Sequence, residues 1–306
     1  MKKIYRFIFY IAFSVSTADA TMSQLELHPQ DTYSPIDNSK NVLQGIASYK
    51  EYFFTTQTIR KLGKDIAVLF NLLDKDGNSI ANKELPIGTH GYDLSIEKIN
   101  PNSVYLYTVG EHSNNALRFI VHLPPASNIN QKPIKLDIKF DKLFKLPAEY
   151  QASTGITLST NKKYLLAISR KYKIIHSEVK VLSGHINIYD KKALLNGKKI
   201  ILHHIPMIKE QESQPIQGIV MLKDIIYTLC GNNNPNDSKM LILYHKDGSF
   251  LKKYNITRPT HELTKWRKWE LEGLTIKDSY LITTVNAQEL KSRQYFKYIL
   301  KLLHLP

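Results

Sequence analysis

Cysteine is almost absent: Cys230 stands alone in 306 residues, so no disulfide can form within the chain and stability must come from burial. Its apolar surroundings, Ile225-Ile226-Tyr227-Thr228-Leu229, point to a buried thiol that packs as a small hydrophobe. Long apolar runs are equally scarce, and past the first twenty residues no window approaches the roughly 20 residues needed to cross a bilayer. The common local signatures of catalysis are missing too. There is no Gly-x-Ser-x-Gly, His261-Glu262 has no second histidine at zinc-protease spacing, and no Gly-rich phosphate loop occurs. Neither a nucleotide cofactor, another cofactor nor a metal is therefore expected, although an enzyme that gathers its residues from distant strands would leave no such signature. Acids are few against bases, 27 to 42, which gives a formal charge of +15.

What is present begins with a leader. Lys2, Lys3 and Arg6 precede an apolar centre at 8–15 and a small-residue site, Ala18-Asp19-Ala20, the order of a secretory signal peptide over 1–20. The expected mature chain is one domain over 21–306, secreted or periplasmic, without a transmembrane helix, and monomeric. Removing the leader takes away three bases and one acid and leaves +13. Such a field draws anionic polymers and surfaces toward the protein. A second reading of the lysines is that they keep strand edges from pairing with other chains.

A short phrase recurs five times: a polar residue, glycine and an apolar residue, then a β-branched and aromatic run. The copies are Gln44-Gly45-Ile46, His90-Gly91-Tyr92, Thr154-Gly155-Ile156, Gln217-Gly218-Ile219 and Glu272-Gly273-Leu274, with glycine spacings of 46, 64, 63 and 55. Each unit continues into further strands, and Lys75-Asp76-Gly77 and Lys246-Asp247-Gly248 supply matching hairpin turns. These periods predict an all-β fold, a five-bladed β-propeller of four-stranded blades. The fifth unit ends one strand short while 24–28 offers a spare strand, so the N-terminal strand is expected to complete the last blade and close the ring. A β-sandwich or two small β domains remain the competing architectures.

In a propeller the glycines lie where inner strands converge, and the residues before them, Gln44, His90, Thr154, Gln217 and Glu272, are expected to face a central channel. With Asp93, one pleat along from Gly91, they form the candidate binding ring. His90 is the strongest candidate for a phosphate or sugar oxygen, against a purely structural histidine. A carboxylate pair across the channel would suit glycoside hydrolysis. A second candidate is Lys265-Trp266-Arg267-Lys268-Trp269, where Trp266 and Trp269 can stack on rings and Arg267 can meet phosphate, unless a tryptophan packs between blades. Asp74-Lys75-Asp76-Gly77-Asn78 lacks the later glutamate of a calcium loop and reads as a turn.

The first two repeats carry a family resemblance. Gln44-Gly45-Ile46 with Thr55-Thr56-Gln57, then Gly88-Thr89-His90-Gly91 with Leu94-Ser95-Ile96-Glu97 and Val104-Tyr105-Leu106-Tyr107-Thr108, resemble the propeller shared by teichoic-acid biosynthesis protein C, some phage receptor-binding proteins and helveticin J-type bacteriocins. Thr89 departs from that family's Gly-His-Gly. The resemblance implies a five-bladed propeller acting outside the cell on surface glycopolymers, with no agreed catalytic set. Two functions follow as expectations: a propeller binding anionic or glycosidic envelope polymers, bacteriocin-like in role, or a hydrolase or lyase with its site at the channel. An outer blade face serving a protein partner is a third.

Overall fold

The computed structural model describes residues 23–26, 42–61, 64–87, 93–110, 115–125, 133–146, 152–175, 178–232, 234, 236–237, 239–257, 266–289 and 295–305. The expected leader and His90 lie outside these. After β1 (Ser23–Glu26), the first blade is β2 (Val42–Tyr49), β3 (Tyr52–Lys61), β4 (Lys64–Leu73) and β5 (Ser79–Leu85). The second is β6 (Ser95–Asn100), β7 (Ser103–Val109), β8 (Asn115–His122) and, after the short β9 (Ile134–Lys135), β10 (Asp137–Lys145). The third is β11 (Ala152–Leu158), β12 (Tyr164–Ile175), β13 (Glu178–Asp190) and, after a one-turn helix α1 (Lys191–Leu195), β14 (Ile201–Pro206). Helix α2 (Lys209–Ser213) leads to the fourth, β15 (Ile216–Leu222), β16 (Ile225–Cys230), β17 (Lys239–His245) and β18 (Phe250–Thr257). The fifth has three described strands, β19 (Trp266–Lys277), β20 (Tyr280–Glu289) and β21 (Tyr295–His304).

Five antiparallel meanders in chain order, each packed on the next, make the five-bladed propeller. The core is divided accordingly into clusters between successive blades. Phe70, Leu106 and Phe119 fill the first joint, Tyr107, Phe144 and Tyr189 the second, and Ile188, Ile219 and Tyr244 the third. Trp269 with Leu229 and Leu271 fills the fourth, and Ile46, Phe53 and Ile282 the last. Burying each such side chain is worth about 1.5–3 kcal/mol, so the joints carry most of the stability. Cys230 lies fully buried in the third cluster, and its thiol is pushed up to about 12 by burial. Asp74 folds back on its own turn and accepts from the backbone N–H groups of Asp76 at 2.9 Å and Asn78 at 2.8 Å, so its carboxylate is used by the hairpin.

The ring closes by a different route from the one expected. Strand β1 does not fill the fourth place in blade five; it runs parallel to β18 at the outer edge of blade four, with Ser23 opposite Tyr254. Likewise β9 runs parallel to β5 at the edge of blade one. Both additions cover an outermost strand whose free edge would otherwise invite another chain. Closure comes instead from the inner strands. The Asn286 side chain of blade five donates to the Leu43 carbonyl at 2.7 Å and accepts from the Leu43 N–H at 3.0 Å, copying a ladder pair across the joint. Ser48 adds two bonds, its N–H to the Thr275 hydroxyl and its own hydroxyl to the Ile276 carbonyl at 2.6 Å.

Replacing Asn286 by leucine keeps the volume but leaves a buried donor and acceptor on Leu43 without partners. The expected cost is about 2–4 kcal/mol in urea unfolding. A loss under about 0.5 kcal/mol, the level of an ordinary surface substitution, would mean that this contact does not close the ring.

Candidate functional site

Four of the five inner strands break register at the recurring phrase. Gly45, Gly155 and Gly218 sit just past a β-bulge in β2, β11 and β15, and the bulge in β19 falls at Gly273 itself. A bulge leaves backbone groups off the ladder. Second-strand threonines take them up: the Gly45 N–H donates to the Thr56 hydroxyl at 2.9 Å, and Thr283 donates to the Gly273 carbonyl at 2.8 Å.

The glycines are there because the strands nearly touch. A methyl on Gly218 would lie 2.6 Å from the Gly273 carbonyl carbon, and one on Gly273 would lie 2.8 Å from the Ile46 nitrogen. No real side chain tolerates such distances to backbone. In the second blade the frame differs from expectation. With Ser95 opposite Tyr107, the preceding Leu94 takes the place of Ile46 and Asp93 the place of Gly45. Asp93 has φ of 43°, beside 65° for Gly273. Gly91, like His90, lies outside the described residues. The one side chain in this layer, Asp93, reaches the space that Gly155 leaves open and accepts from the Ile219 N–H of the opposite blade.

The axis is accordingly closed, and most of the expected ring is interior. Asp93 and Glu272 are each 2% exposed, and Gln44 and Gln217 are also buried. Gln217 donates to Glu270 at 2.9 Å, joining blades four and five. Gln44 Oε1, Asp93 Oδ1 and Glu272 Oε2 have no hydrogen-bond partner among the described residues. Burial pushes both carboxyls well above the usual range, and for Glu272 the neighbouring Glu270 and Asp93 add to the shift. Thr154 lies in the β11 bulge. Trp266 and Arg267 open β19, with Trp266 opposite Glu289. Trp269 is buried at 2% exposure beneath the Lys239 ammonium, 5.0 Å from the ring centre, and packs in the core of the fourth joint. The interleaved segment therefore does not present both tryptophans on one surface.

Two accessible concavities are lined by described residues. A shallow mouth lies at the C-terminal ends of the inner strands, with a volume of about 70 Å³, where Ser48, Ser95, Thr157, Thr160, Thr275 and Lys162 meet. Burial pushes the Lys162 ammonium down to about 8, with Glu97 opposing the shift and Lys191 adding to it. Sequence reasoning missed Lys162 because it looks like a solvated turn lysine in Ser159-Thr160-Asn161-Lys162-Lys163. Its φ of 61° and its N–H bond to Ser159 O at 2.9 Å turn it toward the axis. The larger concavity is a flank groove of about 490 Å³ between blades two and three, lined by Lys142, Lys145 and Lys199 over Leu143, Phe144 and Leu195.

The fold and these surfaces define a β-propeller whose two described hollows are lined by lysines and hydroxyls. The chain belongs to the phage five-bladed β-propeller receptor-binding platform domain family, whose profile it matches over residues 42–274. No curated protein matches. Among solved structures it is similar to the tail fiber of Staphylococcus aureus phage P68, at 14% identity and TM-score 0.62, covering 90% of this chain and 52% of that one. It is also similar to a protein titled glycoside hydrolase, at 8% identity and TM-score 0.52, covering 89% and 61%. The chain thus spans about half of the tail fiber and under two thirds of the hydrolase. At these identities the likeness is one of fold.

Two outcomes check the closed axis. Gly218→Ala should cost about 3 kcal/mol or more, because the added methyl meets neighbouring backbone, whereas Gly197→Ala, with open space around a φ of 79°, should cost about 1 kcal/mol. Equal costs would contradict the packing. Because Asp93 and Glu272 hold protons in the folded chain that the unfolded chain has released, stability should fall as pH rises above about 4. The pair Asp93→Asn and Glu272→Gln should flatten that fall in urea titrations, and an unchanged slope would mean that neither group is buried as described.

Proposed function

We propose that this protein is a secreted or periplasmic binding propeller for an anionic or glycosidic cell-envelope polymer, with a bacteriocin-like role for a chain acting against other cells. The observation that carries this reading is the flank groove, where three lysines rim an apolar floor on a chain of net charge +15. Its size is that of small-ligand sites, which run about 300–1,000 Å³. Lysine stems can lie along sugar rings while their ammonium groups meet anionic substituents. Membership in a family of receptor-binding platforms supports the same direction. Trp266 and Arg267, at the start of β19, are a second proposed contact.

Hydrolysis gains little from this geometry. The carboxylates nearest one another, Asp93, Glu270 and Glu272, lie largely interior, and Asp93 is committed to the Ile219 N–H. A glycosidase pair must flank the scissile bond of a bound sugar, which carboxyls buried among packed strands do not reach.

The test is binding of the chain lacking residues 1–20 to purified envelope polymers at increasing salt. Retention that weakens between about 0.05 and 0.5 M salt is expected. The double variant Lys145→Gln with Lys199→Gln should bind about tenfold more weakly, in line with two lost charge contacts. Absence of binding to any polymer at low salt would overturn the reading, and release of soluble fragments by the wild type would replace it with a hydrolase.

A further inference from the structure

We infer that the axial mouth binds one phosphate group of the polymer, with Lys162 as its cationic partner and the hydroxyls of Ser95 and Thr160 as its donors. This deepens the polymer-binding reading and rests on it. The argument begins with hydrogens. Ser95 Oγ already accepts from the Leu158 N–H at 2.9 Å, and its own hydrogen has no acceptor among the described residues. Ser48 gives its single hydrogen to the Ile276 carbonyl, so in its 3.3 Å contact with the Thr275 hydroxyl Thr275 is the donor, and Thr275 lines the mouth without a spare hydrogen. Thr160 is held through its backbone, by its N–H to Met221 O at 3.0 Å, and its hydroxyl is uncommitted. The mouth therefore offers donors and asks for a group that only accepts.

Charge narrows the choice. Glu97 sits behind the mouth, but one of its oxygens is taken by Lys191 and the other by the Tyr107 hydroxyl at 2.7 Å. Lys162 is left with no hydrogen-bonded counterion among the described residues, a partly desolvated cation at the end of the axis. Glu97 from β6 and Lys191 from α1 are the other charges facing it, and the three together carry one net positive charge. A phosphodiester brings one negative charge and only acceptor oxygens outside its ester links. The mouth is also small, about 70 Å³, a fraction of the flank groove's volume, which suits a single anionic group. The donors and the cation come from two neighbouring blades, Ser95 from blade two and Thr160 and Lys162 from blade three, and converge on one opening.

Binding of dimethyl phosphate to the full chain lacking residues 1–20, followed by NMR titration with acetate as the planar control, tests this. The expected result is dimethyl phosphate binding that exceeds acetate binding, falls at least tenfold in Lys162→Met and about threefold in Thr160→Val, and weakens as pH rises past about 8, where Lys162 loses its proton. Lys162→Met removes a desolvated charge, so its urea midpoint should not fall, which separates lost binding from lost folding. Equal binding by wild type and Lys162→Met, equal binding of acetate, or no binding while the polymer is still retained would each overturn the mouth site and leave the polymer reading standing. Phosphate bound through Lys162 with no polymer retained would instead remove the polymer reading and leave an oxyanion site.

Discussion

Backbones approach one another closely at the axis, and most of the rest follows from it. Five strands that meet around a line leave room in one layer for little beyond the Asp93 side chain, so Gly218 abuts Gly273 and Gly273 abuts Ile46. Entry into that layer is made through a bulge, which rotates the strand and frees backbone groups. Those groups need partners inside the protein, and that explains threonine at Thr56 and Thr283 on the second strands. A leucine there would pack as well but would leave the bulge unbonded. The repeated phrase and the β-branched run that follows it are thus two halves of one device.

Adjacent blades are then tied by polar side chains that imitate a ladder across each joint. Asn286 binds the Leu43 backbone, Arg170 donates to the Ile216 carbonyl at 2.7 Å, and Ser95 accepts from the Leu158 N–H. The first joint uses a strand, β9, with the Lys83 ammonium donating to the Ile138 carbonyl at 2.9 Å. Buried bonds to backbone are directional, whereas the apolar clusters between blades are not. The clusters supply cohesion, and the polar ties set the angle at which blades meet. With the last joint made this way, the ring needs no borrowed strand, and β1 is free to cover the edge of β18.

Blade number and hairpin turns were legible because they depend on period and on Asp-Gly pairs, which are local properties. The frame of blade two was not. His90-Gly91 has the composition of the other phrases, yet the position at the axis belongs to Asp93, an L-residue at φ of 43°. Asp tolerates that region better than most residues, so the substitution is physically cheap, but nothing local distinguishes it from a turn. Closure was illegible for a related reason, since a missing strand at one end and a spare one at the other imply a pairing only if no nearer edge competes. Lys162 was hidden because exposure of a turn residue depends on what lies across the axis. The channel ring itself followed from the phrase, but whether it is open depends on distances that a repeat does not encode.

A closed axis changes what the polar interior can do. Asp93, Glu270 and Glu272 form a group whose charges repel and whose burial disfavours ionisation, so protons held there lower the cost of the fold. The same low polarity that keeps those carboxyls protonated acts in reverse on Lys162, at the other end of the same strands, where it favours loss of a proton. At the mouth an anion finds a cation already stripped of part of its hydration. Much of the desolvation cost of pairing has been met in folding, and this makes the mouth the end of the axis at which a single added charge gains most.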